Sequence, residues 1–215
     1  MEPAPDPGPA FARERIDLGA VVVELVRPAD PEALLDEAAF GDEEFIPYWA
    51  ELWPSCEALT ALLAERGVAG ERVLELGCGL GVPSIAAARL GAAVTATDWA
   101  ADALVLLAEN AEQNGVAVEL RRLDWFAPDD AWPGGPPPRW PLVVAADVLY
   151  EARNGPALLA TLDRVVADGG EAWIADPGRR AAMTFWRTAA EAGWAVSKLG
   201  APAPGQPIVR RLRRG

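Results

Sequence analysis

The sequence contains no histidine and a single lysine, Lys198. Without histidine, Ser-His and Cys-His nucleophilic pairs are excluded, and a transition-metal site loses its commonest ligand. Cysteine is scarce too. Cys56 and Cys78 make neither a disulfide framework nor a zinc cluster, so no metal is expected. No apolar run is long enough to span a bilayer. The opening residues, Met1-Glu-Pro-Ala-Pro-Asp-Pro-Gly-Pro9, are acidic and proline-rich rather than basic and then apolar, unlike a secretory signal. A cytoplasmic location with no membrane partner is the expectation. Positive charge is also short: 19 Lys and Arg against 32 Asp and Glu leave a formal net charge of −13. That balance disfavours nucleic acid, whose binding depends on neutralising phosphates. It suits a partner of positive character, although acidity also serves plain solubility.

What is present is enough for one compact domain. The chain has 215 residues, 51% of them hydrophobic, and a chain of this size buries a sizeable core. Residues 1–12 read as a disordered tail. Ile16 to Val26 alternates and is rich in β-branched residues, which predicts one or two strands. An acidic connection, with a helical turn from Pro31 to Ala38, leads to an aromatic segment, Phe45-Ile-Pro-Tyr-Trp-Ala-Glu-Leu-Trp-Pro54. Pro47 and Pro54 punctuate that segment, so it is neither one strand nor one helix. Laid over the strand ends it would be a lid that keeps water from a small ligand; otherwise it packs a satellite apolar cluster. Ser55 reads as the N-cap of a helix over Cys56–Arg66. The chain thus divides into the tail, an extension with its aromatic lid over 13–54, and a ligand-binding domain over 55–215.

From Arg72 onward strands and helices alternate. Strands are predicted at Arg72–Leu76, Ala93–Thr97, Ala117–Arg121, Leu142–Ala146 and Glu171–Ala175. Helices fall at Val82–Leu90, Ala101–Gln113, Pro156–Val166 and Arg179–Ala192, with Asp168-Gly-Gly170 as a stop and Ala127 to Pro141 as a surface loop. Ala195–Leu199 and Pro207–Leu212 would close the sheet as a hairpin. This is an α/β pattern: a Rossmann-like, doubly wound and mostly parallel sheet of seven strands. A C-terminal antiparallel hairpin and a short N-terminal β extension complete it.

In such sheets ligands bind beyond the carboxyl ends of the strands. The first strand ends in Gly77-Cys-Gly-Leu-Gly81, a turn that delivers the chain to a helix N-terminus and suits a nucleotide-like ligand. Val82 stands where the dinucleotide fingerprint has its third glycine, which argues against a pyrophosphate and against an NAD(P)-dependent oxidoreductase. Asp98, at the end of the next strand, can accept both hydroxyls of a ribose, or cap the following helix. Trp125 can lie on an adenine face or pack in the core. Asp147 can orient a substrate amine and Tyr150 can line the acceptor pocket; the alternative is a capping Asp and a packed Tyr. Arg179 and Arg180 open a helix, where the dipole disfavours cations. They therefore call for a charged partner, either Asp176 in a structural salt bridge or an acidic substrate surface.

Glu75-Leu-Gly-Cys-Gly-Leu-Gly81, Asp98 and Asp147-Val-Leu-Tyr150 resemble the motifs of class I, seven-β-strand S-adenosylmethionine-dependent methyltransferases. Leu52-Trp-Pro54 with Asp147-x-x-Tyr150 is similar to the branch that includes many protein lysine methyltransferases. Pro47-Tyr-Trp-Ala-x-x-Trp53-Pro54 and Asp176-Pro-Gly-Arg179 look most like the electron-transfer flavoprotein β-subunit lysine methyltransferases. The resemblance runs from Phe45 to Ala192. It implies S-adenosylmethionine as cofactor, held by Trp53, Gly77, Gly79, Gly81, Asp98, Trp125 and Ala146, with Asp147 and Tyr150 facing the acceptor. It implies methyl transfer to a lysine of a protein substrate, electron-transfer flavoprotein β subunit being one candidate. A small amine as acceptor, or a cofactor-binding module without catalysis, are the alternatives. A monomer is expected.

Overall fold

The computed structural model describes residues 10–34, 47–132 and 135–214. Its centre is a sheet whose first five strands run parallel: β3 (Arg72–Leu76), β4 (Ala93–Asp98), β5 (Val118–Arg122), β6 (Trp140–Ala146) and β7 (Val166–Asp176). β9 (Ile208–Arg214) joins β7 antiparallel and carries β8 (Trp194–Leu199) on its outer edge, giving the order β5-β4-β3-β6-β7-β9-β8. The doubly wound sheet with a terminal hairpin is as expected. The chain order turns back between β3 and β6, so the glycine turn after β3 opens at the switch point, where a crevice forms.

Side chains alternate across the sheet and build a core on each face. Val73, Leu142, Val144 and Trp173 point toward α1 (Pro54–Arg66) and α2 (Val82–Arg89), meeting Leu59, Leu63 and Ala87. Leu74, Val143, Ala145 and Ile174 point the other way. They pack under Leu158 and Leu162 of α4 (Asn154–Val165) and Phe185 of α5 (Arg180–Glu191). Burying these leucines, at about 1.5–3 kcal/mol each, is what holds the layers together.

Ahead of the sheet, β1 (Phe11–Asp17) and β2 (Val22–Pro28) form an antiparallel hairpin. Its Val23 and Leu25 are fully buried, near Ile85 of α2 and near Leu106 of α3 (Ala101–Gln113) respectively. The free edge of β2 is satisfied by amides of α3. Asn110 accepts from the Val26 N–H at 2.7 Å and donates to its carbonyl at 3.0 Å, while Asn114 does the same for Glu24 at 3.0 and 2.6 Å. Two side-chain amides thus replace a neighbouring strand, and the edge is closed.

Several local readings differ. The strand β1 begins at Phe11, inside the stretch read as tail; residues 1–9 lie outside the described ones. The helical turn is a 3-10 turn over Pro31–Leu34, and the rest of that reading, with Phe45 and Ile46, is also outside them. The Ala127–Pro141 loop is not wholly at the surface, because Trp132 and Trp140 are buried in the main core. Asp168-Gly-Gly170 does not end in a turn before β7 but is a bulge within it. Between the pairs Trp140↔Val166 and Leu142↔Glu171, β6 advances by two residues and β7 by five.

Candidate active site

One cleft of about 130 Å³ opens at the carboxyl ends of β3, β4 and β6. Its walls include Trp53, Gly77, Gly79, Gly81, Asp98, Trp125, Ala146, Asp147 and Tyr150, the residues that the family resemblance gives to cofactor and acceptor, whereas Asp176, Arg179 and Arg180 do not line it. Glu51, Glu75 and Asp124 line it as well.

The three glycines are needed for different reasons. A Cβ on Gly77 would lie 2.8 Å from Val148, in the floor of the cleft. On Gly79 it would lie 2.9 Å from the carbonyl oxygen of Trp49, and on Gly81 2.0 Å from Leu107 of α3. All three also have positive φ. The Gly79 contact matters most for the layout, since it seats the 3-10 turn Tyr48–Ala50 directly on the glycine turn. The aromatic segment therefore lies over the strand ends, held also by the Trp53 indole N–H, which donates to the Tyr48 carbonyl at 3.0 Å.

The turn does not offer its amides freely. The Gly79 N–H donates to Asp98 Oδ2 at 2.9 Å, and the Ala100 N–H to Asp98 Oδ1 at 3.0 Å. The Gly81 N–H goes to the Cys78 carbonyl. Glu75, from inside β3, accepts the Ser84 hydroxyl and the Ser84 amide at the start of α2. Two carboxylates thus take the Gly79 and Ser84 N–H groups and add negative charge here, so this part of the cleft favours a cation. No arginine or lysine pairs with either carboxylate among the described residues. Burial consequently pushes Glu75 up to about 8 despite the bonds from Ser84, with the nearby Asp98 adding to the rise. Asp98 is raised as well, again by burial, against its backbone hydrogen bonds. Local sequence gives Glu75 no role beyond the glycine motif, although a carboxylate inside an apolar strand run is a signal for one.

Asp147 is built differently. It is the one described non-glycine residue with positive φ, at 60°. Its N–H donates to the Ala175 carbonyl at 2.9 Å. Arg179 donates to Oδ1 through Nε at 2.8 Å and Nη2 at 2.6 Å, and the Ser55 hydroxyl donates to Oδ2 at 2.5 Å. Ser55 therefore is not a helix cap: α1 begins one residue earlier at Pro54, with Trp53 in the cap position, and the hydroxyl crosses to Asp147. Arg179 likewise finds its guanidinium partner in Asp147, whereas Asp176 takes only the Arg179 backbone N–H.

Aromatic rings close the cleft mouth. Tyr48 and Tyr150 have centroids 5.0 Å apart, and the Arg179 guanidinium sits 5.3 Å from the Trp53 ring centre. Tyr150 remains partly exposed, while burial of its ring, with Glu151 and Asp98 nearby, pushes its phenol up. Trp125 packs against the main core and also faces the cleft. Both thiols are pushed up by burial and the carboxylates around them, so neither is a nucleophile. No described group of acidic, cysteine or histidine side chains could hold a metal ion, and no described helix is long and apolar enough to cross a membrane.

In solved structures the fold matches a T. Thermophilus 16S rRNA N2 methyltransferase with a TM-score of 0.72 at 17% identity, over 100% of this chain and 53% of that one. It also matches the ribosomal protein L11 methylase of Lactobacillus delbrueckii subsp. bulgaricus, with a TM-score of 0.59 at 26% identity, over 73% and 76% of the two chains. Among curated proteins, the electron transfer flavoprotein beta subunit lysine methyltransferase of Xenopus laevis is 36% identical over 62% of this chain and 53% of its own. The protein N-lysine methyltransferase METTL21A of Danio rerio is 37% identical over 54% and 55%. The chain spans about half the length of these relatives. A family model described as lysine methyltransferase matches residues 48–188, which include the aromatic turn, the glycine turn, Asp147 and Arg179. The chain belongs to the lysine methyltransferase family.

Proposed function

We propose that the protein transfers methyl groups from S-adenosylmethionine to a lysine side chain of a protein substrate. The observation that carries this reading is the pairing, in one cleft, of buried carboxylates that have no cation beside them among the described residues with a separately fixed Asp147. S-adenosylmethionine bears an ammonium, a carboxylate, a sulfonium and a ribose but no phosphate. Glu75 suits the cationic groups and Asp98 the ribose hydroxyls, and the tight glycine turn leaves room for a ligand beside Trp125. In this reading Trp53, Gly77, Gly79, Gly81, Asp98, Trp125 and Ala146 hold the cofactor, and the Tyr48–Trp53 segment is the lid of a 13–54 extension.

Bound there, S-adenosylmethionine supplies an electrophilic methyl group on a good leaving group. The chain's own task is then to position the acceptor and exclude water. Asp147 has both oxygens engaged, so it orients the acceptor amine electrostatically rather than taking its proton. That proton passes to water or to Glu51 at the rim. Tyr48 and Tyr150 line the passage of the lysine stem. The acidic surface favours lysine-bearing proteins, electron-transfer flavoprotein β subunit among the candidates. The partly exposed Trp99, Phe126 and Tyr150 around the cleft give a protein more surface to rest on than a small amine needs. The same reading describes a cytoplasmic monomer.

Calorimetry with S-adenosylmethionine and its demethylated product tests the cofactor, and absence of binding at millimolar concentration would reject the reading. Incubation of a cell extract with methyl-labelled cofactor tests the acceptor: labelled protein bands are expected. Label confined to small molecules would replace the protein substrate with a small amine.

A further inference from the structure

Three segments that stand far apart in sequence meet at one carboxylate. Trp53-Pro-Ser55 contributes the Ser55 hydroxyl to Asp147 Oδ2 and the Trp53 ring beneath the Arg179 guanidinium. Asp147-Val-Leu-Tyr150 contributes the carboxylate itself, from a strained backbone. Asp176-Pro-Gly-Arg179 contributes the guanidinium. The last segment has no part in the cofactor cavity, since neither Asp176 nor Arg179 lines the cleft.

The geometry of that last segment is organised to deliver Arg179. Asp176 Oδ1 accepts the Gly178 N–H at 2.7 Å and the Arg179 N–H at 2.9 Å, folding the chain tightly after β7. Gly178 turns at a φ of 99°, which a side chain would resist. Ala146 and Ala175 are paired across β6 and β7, so Asp147 and Asp176 sit side by side at the strand ends. A short turn from Asp176 therefore brings Arg179 back over Asp147, with both donors of its fork on one oxygen. A left-handed conformation at a non-glycine residue costs on the order of 1–3 kcal/mol and persists only where neighbours over-determine it. Here the neighbours are Arg179, Ser55 and the Ala175 carbonyl.

We propose that Arg179 is a positioning residue of the acceptor site: it holds the Asp147 carboxylate in the orientation that receives the acceptor amine. This rests on the methyltransferase reading above. The partial exposure of Arg179, at 31% of its side chain, leaves it at the protein surface while Asp147, at 2%, is enclosed. Arg179 thus links the surface that meets a substrate to the group that orients the acceptor. Asp176 is its frame, not a second anchor for its charge.

The test combines cofactor calorimetry with transfer of labelled methyl from S-adenosylmethionine to protein in a cell extract. Arg179→Gln is expected to slow labelling at least about tenfold with cofactor affinity within about twofold of wild type. Arg179→Lys, which keeps the charge but not the fork, recovers part of the loss. Should Arg179→Gln fail to fold because a buried charge is stranded, Asp147→Asn and Asp147→Asn with Arg179→Gln carry the test, since neither leaves Asp147 charged. The double variant is expected to label as fast as Asp147→Asn alone, within about twofold. A further, additive loss in the double variant would show that Arg179 acts on its own and would overturn the proposal. So would wild-type labelling by Arg179→Gln. A wild-type protein that neither binds cofactor nor labels any acceptor would instead overturn the methyltransferase reading beneath it.

Discussion

The two ends of the cleft hold the same kind of side chain in opposite settings. At the glycine turn, Glu75 and Asp98 are buried against amides and a hydroxyl, with no cation beside them among the described residues. At the far end Asp147 is buried too, yet it carries a guanidinium and a serine hydroxyl as fixed partners. A buried carboxylate with no counter-charge resists ionisation, and Glu75 is accordingly pushed up to about 8. A buried carboxylate with its own arginine has its charge compensated inside the fold. The first end is thus open to a cation from outside, and the second is committed to geometry.

Breaking the second end should have the largest effect. Asp147→Asn is expected to lower methyl transfer about a hundredfold while cofactor affinity changes less than about twofold, as read by labelled-methyl kinetics and calorimetry. Transfer at the wild-type rate would make Asp147 a fold element only. Next comes the scaffold of the first end. In Gly81→Ala the new Cβ would fall 2.0 Å from Leu107, at a φ of 75°, so denaturant unfolding should show a loss of about 2–3 kcal/mol. An unchanged midpoint would mean that α3 yields freely.

Glu75→Gln sharpens the electrostatic half of the comparison. It should weaken S-adenosylmethionine about tenfold, or about 1.4 kcal/mol. Because the folded state holds Glu75 at about 8, above its ordinary 4.5, folding takes up a proton between those values. Its contribution to stability is complete below about 4.5 and declines as pH rises through about 8. The unliganded Gln variant should therefore lose less melting temperature than wild type as pH rises from about 4.5 to about 8. Cofactor binding, which favours the ionised form, should release protons at neutral pH and tighten as pH climbs toward 8; calorimetry in buffers of different ionisation enthalpy reads this. No proton release would remove Glu75 from the cation-binding role. The smallest effect belongs to an ion pair without burial. Arg15 and Glu24 lie 3.7 Å apart with 70% and 41% of their side chains exposed, and Arg15→Ala should change stability by less than about 0.5 kcal/mol.

Much of the sheet could be read directly, because buried parallel strands are short apolar runs and glycine closes the helices between them. The misreadings share a cause. Ser55 has the local chemistry of a cap, but Pro54 already occupies the first helical position and Asp147, 92 residues on, competes for the hydroxyl. Asp176 is the nearest acidic partner in sequence for Arg179, and the backbone does bond there, yet the guanidinium reaches across to the neighbouring strand end. Asp168-Gly-Gly170 has turn composition and is absorbed as a bulge, since pairing with β6 resumes at Glu171. Trp132 and Trp140 sit in a stretch with loop composition, and only the long-range core shows that they are buried.

Local order was within reach of the sequence alone: the alternation of strand and helix, the position of the glycine turn, and the carboxylates that end successive strands. Those depend on periodicity and backbone freedom, which neighbouring residues express. Tertiary structure alone decided which carboxylate receives an arginine and which, among the described residues, have none beside them. That choice rests on partners brought together from α1, β6 and the turn after β7, whose meeting no local pattern encodes.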